Sequence, residues 1–582
     1  MSGHRQAILI IIFFCLATFG NCLSNGFVGD DNMLIAHNSF YTSWANFPRL
    51  FSTSYITQSD DVFNRDAYSH TGSVAYRPVL SFTFFVDRWL WGLNPFGHHL
   101  SNVILHALNA ILVYLILFSV LPSPSSALWA TVLFAVHPLQ SEAVSAIGYR
   151  ADVLSGFFFL SAFLSYMRSR GPGEALQPRP GVGSHIFFFL AVFAKESAVI
   201  FLPVVMAFDR LVRKEKTGDV LRHLYGRYAG YVLITVFYLL VYTGIFRNST
   251  LGNLRPWGGS IATHTTAAVW IFFEYIKGFI LPFMVKILPP LYAPPLDAHT
   301  PWVALPILGL VIWAAYKVGR THITAAFFIS WFFISYIPVS NIIPLVNPMA
   351  YRFMYLPSVG LAAVAAILLD RAGGSLEKFF RGLRIVPAIR WGVVALCVIM
   401  TFSLNMAWKD NLRMAGMMIR DFPRYPTGYL HLGMEYFRLG DIEKARRSLR
   451  RGLENGLEDP RGYYFMALTY FNDLQRARPY YEKSIRLFPY YALSYVGLGR
   501  TYVLEGAPEK AIPYLEKAVA LVPSYAGYGY LIQSYLRLGR AQDAQIVYEK
   551  ARASLRERAY LDSLDHLIKE GKNLSRPVDI GI

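Results

Sequence analysis

The amino-acid sequence predicts an all-α protein in two parts, a polytopic membrane domain followed by a solenoid of repeated helix pairs. Three observations carry that prediction. Of 582 residues, 54% are hydrophobic and only 16% charged, where soluble domains carry about 25% charged residues; mean hydropathy is +0.34. Apolar segments recur as far as residue 408. From about residue 426 the chain turns polar and repeats itself, the mark of stacked supersecondary units.

Eleven apolar segments are candidate spans: 7–23, 98–121, 126–146, 152–168, 185–195, 197–212, 225–246, 301–317, 322–338, 352–369 and 389–408. A span needs about 20 residues, so the shorter ones predict half-helices and broken helices. Residues 7–23 could be a secretory leader. No convincing small-residue cleavage site follows and apolar segments continue, which favours an uncleaved first helix.

The net charge of +18 does not point to nucleic acid, because much of it sits in short loops between apolar runs. There it sets topology. With His4 and Arg5 inside, and with 264–284 in the outer leaflet or re-entrant, the basic loops 209–227, 317–322 and 370–390 all fall inside. The net acidic loop 24–97, the second large loop 247–300 and everything after 408 then fall outside. The three cysteines, Cys15, Cys22 and Cys397, lie in or beside apolar runs and offer neither a disulfide framework nor a metal site. The expected plan is a membrane domain over 1–408, a linker over 409–425, repeats over 426–560 and a terminal helix or tail over 561–582.

The repeat is read from aligned positions. Gly433, Ala467, Gly499 and Ile532 recur at 32–34 residues, and Tyr436, Tyr470, Tyr502 and Tyr535 follow each by three. Ala445, Ala477, Ala511 and Ala544 come further along, and Pro489 and Pro523 close two units. The second unit lacks two residues in its turn. Small residues where two helices touch, with aromatics filling the gaps, are the tetratricopeptide pattern. Such stacks form concave surfaces that hold peptides; a spacer or dimerisation module is the plainer alternative.

Ionisable residues cost several kcal/mol in a membrane unless they face a cavity or partner. Here they gather at segment ends on the expected outer side. "GFVGDDNMLIAH" (26–37) places Asp30 and Asp31 just past the first span. Arg77 precedes an aromatic stretch, 80–96, that reads as an interfacial helix. Asn102, His106 and Asn109 share a helix face by their spacing of four and three; that face either ligates metal or hydrogen-bonds between helices. The outer turn 136–155 carries His137, Glu142, Arg150 and Asp152, the last two a candidate structural ion pair. Lys195 and Glu196 interrupt "FAKESAVIFLP" (193–203), either for a phosphate or as a pair of neighbours. Tyr351, Arg352 and Tyr355 stand at the outer start of a span, where an arginine fork suits phosphate oxygens.

Cations, a carboxylate pair and an apolar surround fit a lipid with a phosphate-linked head group. Phosphate would lie on Lys195 and Arg352, and Asp30 would act as base on an incoming hydroxyl, with the cations stabilising the departing phosphate. That chemistry is glycosyl transfer from a polyprenyl-phosphate sugar.

The "DD" after the first span, "YRPV…WGLNPFGHHLSNVILHALNA", "FAVHPLQSEAVSAIGYRADVLS", "FAKESAVIFLP" and "AYRFMYLPSVGL", followed by the repeats, together resemble the transmembrane and tetratricopeptide-repeat O-mannosyltransferases of the GT-C superfamily and their prokaryotic homologues. The resemblance covers nearly the whole chain. It implies a GT-C membrane fold with an extracytoplasmic active site, a lipid-phosphate monosaccharide donor (typically mannose), Ser/Thr hydroxyls of proteins as acceptor, and inversion at the anomeric carbon. Asp30 then matches the catalytic base and Asp31 the second acidic position. Arg77, Lys195 and Arg352 are the expected phosphate contacts. His106, His137, Glu142, Arg150, Asp152, Glu196, Tyr351 and Tyr355 are the supporting polar set. No metal is predicted, and a divalent ion stays open. The expected partners are the donor, membrane lipid and an extracytoplasmic acceptor protein held by 426–560, in a prokaryotic plasma membrane or, alternatively, the endoplasmic reticulum. Transfer to a glycan or lipid, and a non-catalytic membrane-anchored scaffold, are the competing readings.

Overall fold

In the computed structural model the described residues are 2–52, 75–169, 181–245, 260–287, 300–345, 347–380, 385–555 and 558–570. Parts of the second large loop, 247–300, and of the first, 24–97, therefore lie outside the described residues. All regular structure among the described residues is helical. The chain divides into two units, the first running to Met414 and the second from Ala415.

The first apolar run forms the helix Ser2–Phe19. Ala7, Ile11, Cys15 and Phe19, four residues apart and so on one face, are buried against helices Pro95–Val120, Pro124–Val136 and Ile385–Asn405. The helix Pro95–Val120 opens with Asn94 capping the Phe96 amide. Its 26 residues rise about 39 Å at 1.5 Å each, enough to cross a hydrocarbon core of about 30 Å. Four described helical stretches are long and apolar enough to cross a membrane: Gly3–Ser24, Pro95–Val120, Ile147–Arg168 and Ile385–Trp408. A fifth follows if Thr217–Tyr225 and Ala229–Gly244, bent by 59°, count as one span.

The expected half-helices are present. Pro124–Val136 and Val182–Ala194 each have 13 residues, about 20 Å of rise. Both end where polar blocks begin, at His137 and Lys195, which take extended backbone angles and start short 3-10 turns. These breaks bring polar side chains to one end of otherwise apolar helices. The stretch 264–284 is mostly the helix Ile261–Ile280, capped by a reciprocal Ser260–Thr263 box. Gly360 lets helices Pro357–Phe379 and Ile323–Tyr336 meet backbone to backbone, since a Cβ there would lie 2.5 Å from the Phe328 carbonyl oxygen.

Among its described residues the second unit has four antiparallel helix pairs: Pro426–Arg438 with Ile442–Glu454, Pro460–Leu468 with Leu474–Leu487, Ala492–Leu504 with Pro508–Leu521, and Tyr525–Arg537 with Ala541–Ser554. The aligned small residues sit where helices cross. A Cβ at Gly433 would meet Leu449 at 2.6 Å, and one at Gly499 would meet Leu515 at 2.5 Å. Gly440, Gly506 and Gly539 take left-handed angles in the turns of the first, third and fourth pairs. The second pair, two residues shorter between its aligned Ala467 and Ala477, has no such glycine and ends its first helix early, at Leu468, so its connection runs from 469 to 473. The terminal helix begins at Arg558 and packs Leu561, Leu564, Leu567 and Ile568 on the last pair, covering an apolar end.

Candidate functional site

The chain leaves the first helix through a 3-10 turn and is tied to residues near 410. Gly26 donates its amide to the Lys409 carbonyl at 2.9 Å, and Gly29, in a left-handed conformation, donates to Asn411 Oδ1 at 2.9 Å. This anchors the acidic pair and gives its two members different surroundings. Asp31 is buried and caps the turn Ile147–Tyr149, accepting from the amides of Gly148 at 2.6 Å, Ile147 at 3.4 Å and Val28 at 3.3 Å. Asp30 is exposed, and Tyr149 donates its hydroxyl to Asp30 Oδ2 at 3.2 Å. One carboxylate fixes the loop and the other faces solvent.

Burial pushes the Asp31 carboxyl up to about 7, with the Asp30 charge adding to it and the three amides pulling the other way. Since the ordinary value is 3.8, the native chain keeps a proton between about pH 4 and 7 that the unfolded chain has lost. The resulting stability is complete at the acid end and is lost as pH rises through 7. The expected result is a fall in the apparent Tm of the detergent-solubilised protein from pH 5 to 8 that Asp31→Asn flattens, read by tryptophan fluorescence during heating.

Arg352 lies in the 3-10 turn Tyr351–Met354. Glu142 grips it twice, accepting its amide at 3.0 Å and one arm of its guanidinium. The guanidinium carbon rests 3.8 Å from the centre of the Tyr149 ring and 5.1 Å from that of Phe353. Its Nε and Nη2 make no hydrogen bond among the described residues.

Lys195 donates to Asp152 at 2.5 Å and lies 5.1 Å from the Phe353 ring centre, so the two cations flank one aromatic. Lys195, Asp152, Ser155, Ser197, Phe353 and Tyr355 line a cavity of about 350 Å³, its open mouth included. A second cavity, of about 190 Å³, is lined by Ser141, Glu142, Lys286, Tyr351, Leu404 and Trp408 among others.

The remaining predicted residues sort by their contacts. Arg77 and Glu196 form a two-pronged pair at 2.6 and 3.1 Å. The alternative of a Lys195–Glu196 neighbour pair does not form: each has a partner from another element. The expected Arg150–Asp152 pair is corrected too, because residues two apart on a helix do not face each other. Arg150 instead pairs with Asp87 at 2.5 Å and donates to Asn102, the His98 carbonyl and the half-buried Thr83; Arg150, Asp87, Asn102 and His98 are buried.

His106 and Asn109 both meet Tyr355, at 2.8 and 2.9 Å, and their other hydrogen bonds run to the Ala135 and Val153 carbonyls of neighbouring helices. With Asn102 bonded to the Val144 and Ala146 carbonyls, this helix face joins helices. His137 reaches the Phe279 carbonyl at 3.0 Å and accepts the Leu139 amide, starting its turn. Tyr351 is buried beside Met354 and Tyr275. Among the described residues no three His, Cys, Asp or Glu side chains converge as a metal ion would require.

Three contributors escaped the sequence reading. Tyr149 stands inside a quoted polar block, and its place beside Arg150 was its only signal. Asp87, a lone carboxylate in "FTFFVDRWLW", was detectable by the cost of a charge among aromatics. Phe353 carried no signal distinct from an apolar turn.

A tetratricopeptide-repeat family model matches residues 430–492 and 465–526. Over its aligned part the chain is similar to Protein O-mannosyl-transferase TMTC3 of Homo sapiens, 29% identical over 218 residues, 38% of this chain and 23% of that protein. It is 33% identical over 231 residues to Protein O-mannosyl-transferase TMTC1 of Mus musculus, 37% of this chain and 23% of that one. With Protein O-mannosyl-transferase F38B6.6 of Caenorhabditis elegans the identity is 23% over 457 residues, 74% of this chain and 60% of that protein. The chain thus spans under a quarter of the length of the first two. A solved structure of ArnT from Cupriavidus metallidurans bound to undecaprenyl phosphate covers 96% of this chain and 82% of its own, at 14% identity and a TM-score of 0.39, a similarity too slight to build on. The resemblance to transmembrane and tetratricopeptide-repeat O-mannosyltransferases is borne out by the named relatives and the repeat match.

Proposed function

We propose that the protein is an inverting membrane glycosyltransferase that moves a monosaccharide, mannose by its relatives' name, from a polyprenyl-phosphate donor to Ser/Thr hydroxyls of extracytoplasmic proteins. One observation carries the reading: an exposed carboxylate, Asp30, and a guanidinium with uncommitted donors, Arg352, touch opposite parts of a single side chain. In this reading the acceptor hydroxyl passes its proton to Asp30 as its oxygen attacks the anomeric carbon. The bond to phosphate breaks on the far side, and the charge that grows on the leaving phosphate is met by Arg352 and by Lys195 in its adjoining cavity.

The carboxylates that pair with these cations keep them in place before donor arrives. A guanidinium has five N–H donors and an ammonium three, so each can add a phosphate oxygen without giving up its partner. The repeat unit offers an acceptor protein the concave face that such stacks present.

The test is transfer from radiolabelled polyprenyl-phosphate mannose by the full chain in lipid nanodiscs, with a peptide library as acceptor. Label on Ser/Thr peptides is the expected result. Label only on lipid or glycan moves the acceptor class, and no label with any lipid-phosphate sugar, from folded protein that still binds partners through its repeats, overturns the enzyme in favour of a scaffold.

A further inference from the structure

Between the acid and the cation of this site lies a residue that belongs to neither role. Tyr149 ends the 3-10 turn Ile147–Tyr149, which the buried Asp31 holds through the amides of Gly148 and Ile147. That cap fixes the backbone from which the tyrosine projects. Its hydroxyl donates to Asp30 at 3.2 Å, and its ring face receives the Arg352 guanidinium at 3.8 Å. Trp408 meets the same ring edge-on, with centroids 6.3 Å apart, and Glu142 fixes Arg352 from its other side.

We infer that Tyr149 is a positioning residue that ties the catalytic base to the phosphate-binding cation, its hydroxyl aiming Asp30 and its ring carrying Arg352. The inference rests on the glycosyltransferase reading and names what sets the geometry of that site. Among the described residues Asp30 is exposed and has a single hydrogen bond, from a side chain on another element, so without Tyr149 its carboxylate is free to turn. Arg352 has Glu142 at one arm only; the aromatic face beneath it is what keeps the guanidinium plane, and with it Nε and Nη2, in one orientation. The two contacts reinforce each other, because a hydroxyl donated to a carboxylate sends electron density into the ring that the guanidinium rests on.

The two contacts separate by substitution. Tyr149→Phe keeps the ring and removes the hydroxyl; Tyr149→Leu removes both. The experiment uses the full chain in nanodiscs, with polyprenyl-phosphate mannose as donor and polyprenyl phosphate without sugar as a binding probe. For Tyr149→Phe the expected result is kcat down about 10-fold or more, with donor KM and probe Kd within twofold of wild type. For Tyr149→Leu, kcat falls as far and both donor KM and probe Kd rise about fivefold or more.

A merely structural tyrosine would not split kcat from KM in this way. Tyr149→Phe at full kcat overturns the hydroxyl's role, and equal probe affinities for Phe and Leu overturn the ring's. Wild type that binds the probe yet transfers to no acceptor refutes the enzyme reading while leaving the binding comparison to judge the ring. Wild type that neither transfers nor binds refutes both. Should Tyr149→Leu fail to fold, Tyr149→Phe judges the hydroxyl, and Tyr149→Met, which fills space without an aromatic face, takes the place of Leu in the binding comparison.

Discussion

Replacing Asp30 by Asn is expected to reduce sugar transfer about 10²–10⁴-fold, the usual worth of a positioned general base, while leaving the protein folded. The second half of that expectation comes from the site's asymmetry. Among the described residues Asp30 is exposed and accepts one hydrogen bond, from the Tyr149 hydroxyl. An asparagine oxygen accepts the same bond, so the tyrosine and the Arg352 stacked on it keep their places. What is lost is the capacity to take a proton. Donor binding is therefore expected to persist in Asp30→Asn, with kcat falling and donor KM holding.

Asp31→Asn makes the contrast. Its side chain accepts from three backbone amides through both oxygens, and an amide NH₂ turned toward any of them opposes a donor with a donor. The expected outcome there is a lower Tm and a disordered turn at Ile147–Tyr149, with activity lost through structure. Transfer assays paired with thermal unfolding of both variants check the pair. Equal transfer by wild type and Asp30→Asn would remove Asp30 from the chemistry.

Much of the architecture was legible because it is periodic. Apolar runs gave helices, and a repeat of 32–34 residues gave four helix pairs, with Gly433 and Gly499 marking where the partner helix comes closest. The acidic pair was legible by place, directly past the first helix. Partnerships were not. Sequence reading joined Arg150 to Asp152 and considered Lys195 with Glu196, because adjacency is all a sequence displays. Folding joined Arg150 to Asp87, Lys195 to Asp152, Arg77 to Glu196 and Arg352 to Glu142. Each is a meeting of separate elements that only the packing of broken helices decides. The same limit hid the difference between Asp30 and Asp31, since burial of one rather than the other depends on where the turn at 147–149 docks.

The Arg150–Asp87 pair predicts the largest effect on stability. Arg150 is 1% and Asp87 4% exposed, and the guanidinium sits over the Phe84 ring at 4.9 Å while donating to Asn102 at 2.6 Å. His98 lies 3.4 Å from the same carboxylate, and Ser101 donates to it at 2.8 Å. Breaking a buried pair from one side strands the other charge, at a cost of about 3–5 kcal/mol. Arg150→Met is accordingly expected to unfold the first unit at ordinary growth temperature or to leave it poorly expressed. It leaves Asp87 with only a histidine and a serine, and frees the Asn102 oxygen and His98 carbonyl from their donor.

Removing both charges is a different experiment. In Arg150→Met with Asp87→Leu no ion is stranded, and an apolar pair of similar volume commonly matches a buried ion pair in stability. The double variant is expected to recover most of the lost Tm and, because the Arg150 side chain turns to Asp87, Asn102 and Phe84 and not to the side chains of Asp30, Tyr149 or Arg352, measurable transfer with it. Recovery of folding without recovery of transfer would instead bring Arg150 into the active centre, where its place in the quoted block "GYRADVLS" first put it. A single variant as stable as wild type would show that the pair contributes nothing net, and that packing around Phe84 alone holds this corner of the membrane unit.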